Sequence, residues 1–290
     1  MKIKKEVLNL SVVIPSLGGD ILLSTIKYLN EGKYYPHEII VCLPKTKKKY
    51  IELNDFDNVK IIISPIKGQV QQRIFGLKKS TQNYVLQLDD DTIVHSNDLI
   101  KIINKLKQLG PGNAISPINC DIEKKISVTQ VEKNLKSLLF NIFSFFLAGS
   151  KWGVNKMGTI SKSGVVYGVD PNYVKNKTIH SQEWLSGCCV AMFKQDLILD
   201  CYYPFSGKAY FEDVIHSIIL RKRKVKLWSL ISAKCYTRIS KEIMEIEDIN
   251  QHFIAQKYCA SLVCSNLIPY YRWMLFYKSY LKVKHFFKNI

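Results

Sequence analysis

Three consecutive aspartates, Asp89-Asp90-Asp91, close the short apolar run Tyr84-Val85-Leu86-Gln87-Leu88. Like charges this close repel, and unpaired carboxylates beside a core are disfavoured. A divalent cation relieves both problems. Carboxylate oxygens suit Mg2+ or Mn2+, with ligand phosphates completing the coordination. The triplet is therefore either a metal–diphosphate site or a solvated acidic turn, and its place at the carboxyl end of a strand favours the site. A second acidic pair, Glu212-Asp213, opens a helical stretch from Phe211 to Arg221. It is either a helix cap favoured by the dipole, or a general base whose pKa is raised by its apolar neighbours Tyr210, Phe211 and Val214. The third feature is Lys67-Gly68-Gln69-Val70-Gln71-Gln72-Arg73. Gly68 lets backbone approach an anion at a helix N-terminus, which favours phosphate. Arg73, one turn in, is either a diphosphate ligand or a solvated residue of an ordinary amphipathic helix.

These groups need a scaffold. Leu10 to Ile14, Glu38 to Leu43, Val59 to Ile63 and Tyr84 to Leu88 are short apolar runs, three of them stopped at or near a proline; they predict buried strands. Between them, Ile21, Leu22, Ile26 and Leu29, then Val70, Ile74 and Leu77, recur at helical spacing. A helix from Ser96, with Leu99, Ile102, Ile103 and Leu106 inward, stops at Gly110-Pro111. This alternation predicts an α/β fold with a Rossmann-type, mostly parallel sheet flanked by helices. Ligands of such sheets bind beyond the carboxyl ends of the strands, where the aspartates fall. From 121 to 180 the pattern weakens among scattered glycines, and loops are expected. Regular structure is expected again over Glu183 to Phe193, the helix near Phe211 to Arg221, and a strand near Val225 to Trp228.

The 290 residues are 47% hydrophobic, which excludes wholesale disorder. Forty-two Lys and Arg against 24 Asp and Glu leave a net charge of +18, which predicts anionic partners. None of the eight cysteines forms a Cys-x-x-Cys pair, and several sit in apolar runs; reduced thiols in a cytosol are expected. The N-terminus has no signal-peptide core. The longest uncharged stretches, Ser137 to Ser150 and Tyr258 to Tyr271, are too short to span a bilayer. After Asp248 there is no acid but six bases, which divides the charge into +12 for 1–248 and +6 for 249–290. The second segment is expected to be a helical basic tail. Its Phe276, Tyr280, Val283 and Phe287 recur at helical spacing, with Lys278 and Lys282 opposite. That stripe either meets an anionic membrane surface or packs on the first domain.

Taken in order, these features resemble the family 2 glycosyltransferases, which have the GT-A fold. The matching pieces are Ser11-Val12-Val13-Ile14-Pro15-Ser16, Gly68 through Arg73 to Gly76-Leu77, and the strand ending in Asp89-Asp90-Asp91. Trp184-Leu185-Ser186-Gly187 follows, then Glu212-Asp213 with Arg221-Lys222-Arg223, so the resemblance runs from about Leu10 to Trp228. It implies a nucleoside-diphosphate sugar donor held by Pro15, Ser16, Lys67, Gly68, Arg73, Asp89 and Asp90. It also implies Mn2+ or Mg2+ on Asp91 and Asp89, and an acceptor pocket of Trp184, Leu185, Ser186 and Gly187. Asp213 would be the base of an inverting displacement, with Glu212 holding the acceptor. The acceptor would be a saccharide or lipid-linked saccharide of bacterial surface polysaccharide or glycolipid synthesis. The site of action would be the cytoplasm, peripheral to the inner face of the membrane. The family's base-reading aspartate after the second strand is missing from Val41-Cys42-Leu43-Pro44, with Asp20 as its substitute, and a third metal ligand would come from His180, His216 or His252. Two other readings compete. A sugar-phosphate nucleotidyltransferase would want a basic phosphate loop, but Leu17-Gly18-Gly19-Asp20 has no base before Lys27. A non-catalytic nucleic-acid-binding protein would suit the net charge, but the acidic triplet repels phosphate; nucleic acid is not the expected partner.

Overall fold

The computed structural model describes residues 4–45, 56–130, 135–151, 157–174, 176–239 and 246–288. In chain order the elements begin with β1 (Glu6–Pro15), α1 (Asp20–Asn30), β2 (Tyr34–Pro44), β3 (Val59–Ser64) and α2 (Gln69–Leu77). Next come β4 (Tyr84–Leu88), α3 (Ser96–Leu109), β5 (Asn113–Asp121) and α4 (Leu135–Phe143), which runs on into a π-helical turn, Ser144–Ala148. The middle of the chain holds β6 (Met157–Ile160), β7 (Val166–Val169), α5 (Pro171–Val174), β8 (Ile179–Ser181) and β9 (Cys189–Phe193). The last elements are α6 (Glu212–Lys222), β10 (Lys226–Thr237), α7 (Ile246–Val263) and α8 (Ile268–Lys288).

Eight strands form one sheet in the order β3-β2-β1-β4-β9-β5-β10-β8. The pairs β3–β2, β2–β1, β1–β4 and β5–β10 are parallel. Two strands run against the rest: β9, wedged between β4 and β5, and β8, on the edge beside β10. The expected mostly parallel α/β sheet is therefore present. β1 lies inside it, and from Leu10 to Pro15 it is buried without alternation, as a strand covered on both faces must be. Leu22, Ile26 and Leu29 of α1 and Leu99, Ile102 and Leu106 of α3 close one face, in one apolar cluster with Val12, Ile14, Leu86 and Leu88. Each such side chain contributes about 1.5–3 kcal/mol by leaving water.

Three expectations need correction. The stretch 121–180 contains α4 and its π-helical turn, the β6–β7 hairpin and β8, where loops were expected. Residues 135–148 are mostly apolar, and only a narrow polar stripe, Ser137, Asn141 and Ser144, carries the helical period. The regular stretch expected over Glu183 to Phe193 shrinks to β9, because 184–188 forms an irregular strap. The division at 248/249 falls inside α7. Phe253, Ala255, Cys259 and Ala260 of that helix are buried, and Cys259 joins an apolar cluster with Val70, Ile74, Val214 and Ile215. The first half of the tail thus packs on the α/β unit. The side chains of Val283 and Phe287 lie outside those described. All eight cysteines are free, and no helix among the described residues is long and apolar enough to cross a membrane.

Candidate active site

The carboxyl ends of β1 and β4 and the start of α2 enclose a cleft of about 400 Å³. Pro15, Ser16, Lys67, Gly68, Gln69, Gln72 and the three aspartates line it. Its walls are fixed by a few hydrogen bonds. Gln72, buried in α2, donates to the carbonyls of Ser16 at 2.8 Å and Cys42 at 2.7 Å. Its side-chain oxygen accepts the Gly68 N–H at 3.1 Å. One amide thus ties the ends of β1 and β2 to the helix start. Gly68 has φ +148°, a backbone conformation that favours glycine. Asp90 turns to the scaffold: its carboxylate accepts the Ser16 hydroxyl, and its carbonyl accepts the Thr25 hydroxyl at 2.7 Å. Burial raises the Asp90 pKa, with the Ser16 bond opposing.

Arg73 is the largest fully buried side chain among the described residues, 1% exposed. Its Nη2 lies 2.9 Å from Asp89 Oδ1 and its Nη1 2.7 Å from Glu212 Oε1. One guanidinium therefore joins the end of β4 to the start of α6, which are far apart in the chain. Tyr202 donates to the other Glu212 oxygen at 3.0 Å, and Gln69 donates to Asp89 at 3.2 Å. Burial pushes the Asp89 carboxyl up to about 6, with Arg73 pulling the other way. Burial and then the adjacent Glu212 push Asp213 up to about 7, opposed by the backbone N–H groups of Val214 and Gly187. The Val214 N–H lies 2.8 Å from the Asp213 carboxylate. Glu212 and Asp213 ride on a left-handed residue, Phe211, at φ 58°, a costly backbone for an aromatic. Its ring packs against His252 of α7, centroids 4.8 Å apart.

Several expected site residues fall elsewhere. Arg73 does not face the cleft; it holds two carboxylates in place. Leu185 is buried in the core, and its N–H is held by the Ser217 hydroxyl at 3.0 Å. Trp184 donates to the Tyr167 carbonyl at 3.0 Å and packs beside the α2–α6 apolar cluster. The Ser186 hydroxyl donates to Cys188 Sγ at 3.3 Å. Gly187 lies against the acidic pair: a Cβ there would sit 2.7 Å from Glu212 Oε1. Asp20 opens α1 and does not line the cleft. The three histidines do not line it either. His180 Nε2 sits 3.2 Å from the Met157 carbonyl, His216 stacks on Tyr202 at 5.0 Å, and His252 packs as described. Burial lowers the pKa of both His216 and His252 to about 4.

Two carboxylates remain for a cation, Asp89 and Asp91. Among the described residues Asp91 has no ion pair, only a long contact at 3.5 Å from the Thr92 hydroxyl. No group of three or more His, Cys, Asp or Glu among the described residues is placed to hold a metal. This donor set fits Mg2+ or Mn2+, which take one or two carboxylates with phosphate oxygens, and does not fit an all-protein cage. Gln72 and Tyr202 were missed as site residues. Gln72 sits at a helix start beside Gly68, a pattern that marks it, whereas nothing near Tyr202 announces its partner.

Residues 11–163 match the model of the family described as Glycosyl transferase family 2. No curated protein matches the sequence. Among solved structures, the crystal structure of GalNAc-T7 with UDP, GalNAc and Mn2+ superposes with a TM-score of 0.55 at 12% identity, over 87% of this chain and 49% of that one. The chain thus spans about half the length of that relative, with which it shares a fold. A crystal structure of a mycobacterial protein superposes with a TM-score of 0.47 at 13% identity, over 88% of this chain and 74% of that one.

Proposed function

Because the chain belongs to glycosyl transferase family 2, we propose that it moves a glycosyl group from a nucleoside-diphosphate sugar to an acceptor hydroxyl in one inverting displacement. The observation that carries this reading is the Asp89–Arg73–Glu212 chain of contacts, which sets the end of the donor cleft beside Asp213. Lys67 and the Gly68 backbone hold the diphosphate, and Ser16 and Asp90 shape the wall beneath it. Asp91, with Asp89, would hold Mn2+ or Mg2+, and the bound cation stabilises negative charge on the departing diphosphate. Asp213, raised to about 7, takes the proton of the acceptor hydroxyl as its oxygen forms the new bond to the anomeric carbon. The Val214 N–H holds that carboxylate, and Glu212, fixed by Arg73 and Tyr202, stands beside it to hold the acceptor. The acceptor is a saccharide or a lipid-linked saccharide of surface polysaccharide or glycolipid synthesis, met at the cytoplasmic face of the membrane; the acid-free tail supports this location.

The test is calorimetric titration of nucleoside diphosphates with and without Mn2+. Binding should need the metal and weaken at least tenfold in Asp91→Asn. Metal-independent binding, or release of pyrophosphate in place of a nucleoside diphosphate during turnover, overturns the reading.

A further inference from the structure

A second concavity of about 470 Å³ lies where the end of the π-helical turn, β6 and the C-terminal ends of α6 and α7 meet. Lys151, Lys162, Arg221 and Lys222 line it, all exposed. None of them forms an ion pair among the described residues. The one acid in the lining, Glu183, already accepts the Ile160 N–H at 2.7 Å. Ile218 and Leu262 give the same pocket an apolar wall. Unpaired bases over an apolar wall suit an amphiphile with an anionic head.

The surroundings point to the same ligand. Gly149, on the pocket's edge, packs so closely that a Cβ there would lie 3.2 Å from Lys162 Cβ and 3.3 Å from Pro269 Cβ. The pocket therefore abuts the start of α8. Beyond it α4 and α8 lie together, with Phe143 stacked on Phe276 at 5.5 Å and Phe140 edge-on to Trp273 at 6.4 Å. The outer side of this pair is apolar. Leu135, Leu138, Leu139 and Phe146 follow one another at helical spacing and are 70%, 49%, 44% and 62% exposed. Soluble chains rarely leave such a stripe uncovered. A second copy of this chain is a poor cover, since it would bring +18 against +18. An anionic bilayer supplies both an apolar phase for the stripe and phosphates for the bases.

We propose that the pocket of Lys151, Lys162, Arg221 and Lys222 binds the phosphate of an anionic membrane lipid while the outer face of α4 and α8 beds into the adjoining acyl region. The chain then lies on the membrane without crossing it, and the docking surface is α4 as much as the tail. This binding stands apart from the transfer reaction and is measured without it.

The experiment is co-sedimentation of the full chain with phosphatidylcholine vesicles and with vesicles carrying one-third phosphatidylglycerol. The wild type should bind the anionic vesicles and little of the neutral ones. Each base near an anionic surface contributes roughly fivefold, so Lys162→Ala/Arg221→Ala/Lys222→Ala should lose on the order of 100-fold in partition. Leu138→Ser/Phe146→Ser should lose about tenfold, and unchanged melting temperatures would show that both variants fold. Equal binding to the two vesicle types overturns the proposal. So does undiminished binding by the triple variant, binding of soluble glycerol 3-phosphate without vesicle binding, or a dimer that the Leu138/Phe146 pair disrupts while vesicle binding persists.

Discussion

Replacing Arg73 with methionine removes the one cation that Asp89 and Glu212 share among the described residues. The two contacts, at 2.9 and 2.7 Å, are each about 6 kcal/mol of attraction at an effective dielectric of about 20. Desolvating three ions consumes most of that gain, so the intact triad is close to neutral for stability. Methionine fills much of the same volume but leaves two carboxylates without a counter-charge in a site where Arg73 is 1% exposed. Breaking a buried pair from one side costs about 3–5 kcal/mol. For a domain of this size that lowers the melting temperature by roughly 6–20 °C. The deficit must also depend on pH. Asp89 already has its carboxyl raised to about 6 with Arg73 pulling it down, so without Arg73 it rises further. A carboxyl whose folded pKa lies above its unfolded value binds more protons in the folded state, so stability falls as pH rises. The loss in Arg73→Met should therefore grow from about pH 6 upward and be largest above neutrality. Adding Glu212→Gln should recover part of it, and Asp89→Asn more. Thermal melts from pH 5 to 8 decide the matter. A deficit under about 1 kcal/mol, a deficit flat across that range, or a further loss on adding Glu212→Gln would refute the reasoning.

The same logic gives Asp213→Asn an opposite sign. Asp213 is raised to about 7 by burial and by Glu212, so its ionisation costs the fold stability between about pH 4 and 7 and above. Asparagine removes that cost and keeps an acceptor for the Val214 N–H; the variant should be more stable at pH 8 by on the order of 2 kcal/mol, yet inactive in glycosyl transfer. In the wild type, kcat/KM should rise with pH through about 7, and a profile flat from pH 5.5 to 8.5 would remove Asp213 as the base. Gly187→Ala places a methyl 2.7 Å from Glu212 Oε1 and 3.2 Å from Asp213 Cβ. Displacing the pair should cost about 1–3 kcal/mol and cut kcat more than tenfold with donor affinity retained, as read by steady-state kinetics beside calorimetry.

The elements that could be read from the chain are those whose evidence is local. β1, β2 and β4 are apolar runs with a proline or an aspartate at the end, and α3 has its inward residues at strict helical spacing before Gly110. The cleft at the ends of β1 and β4 was legible for the same reason, since its residues sit where those runs stop. What escaped depends on partners distant in sequence. A lone Arg in a helix reads as solvated or as a phosphate ligand, and only the arrival of α6 turns Arg73 into a buried link. β9 was visible as regular structure, but its antiparallel insertion between β4 and β5 is set by the sheet as a whole. α4 was missed because its polar stripe, Ser137, Asn141 and Ser144, is narrow and leucines and phenylalanines fill most of the rest of its surface.

The Arg73–Glu212 contact spans 139 residues, and this imposes an order on biosynthesis. At about 5–20 residues per second, a ribosome needs roughly 7–28 s to travel from one residue to the other. During that interval β1 to β4 can already pair, yet the guanidinium has no second carboxylate to meet. The half-made sheet must keep that edge open to water until α6 emerges. The chain can therefore acquire its scaffold early, but closure of the buried Arg73–Glu212 contact waits for α6.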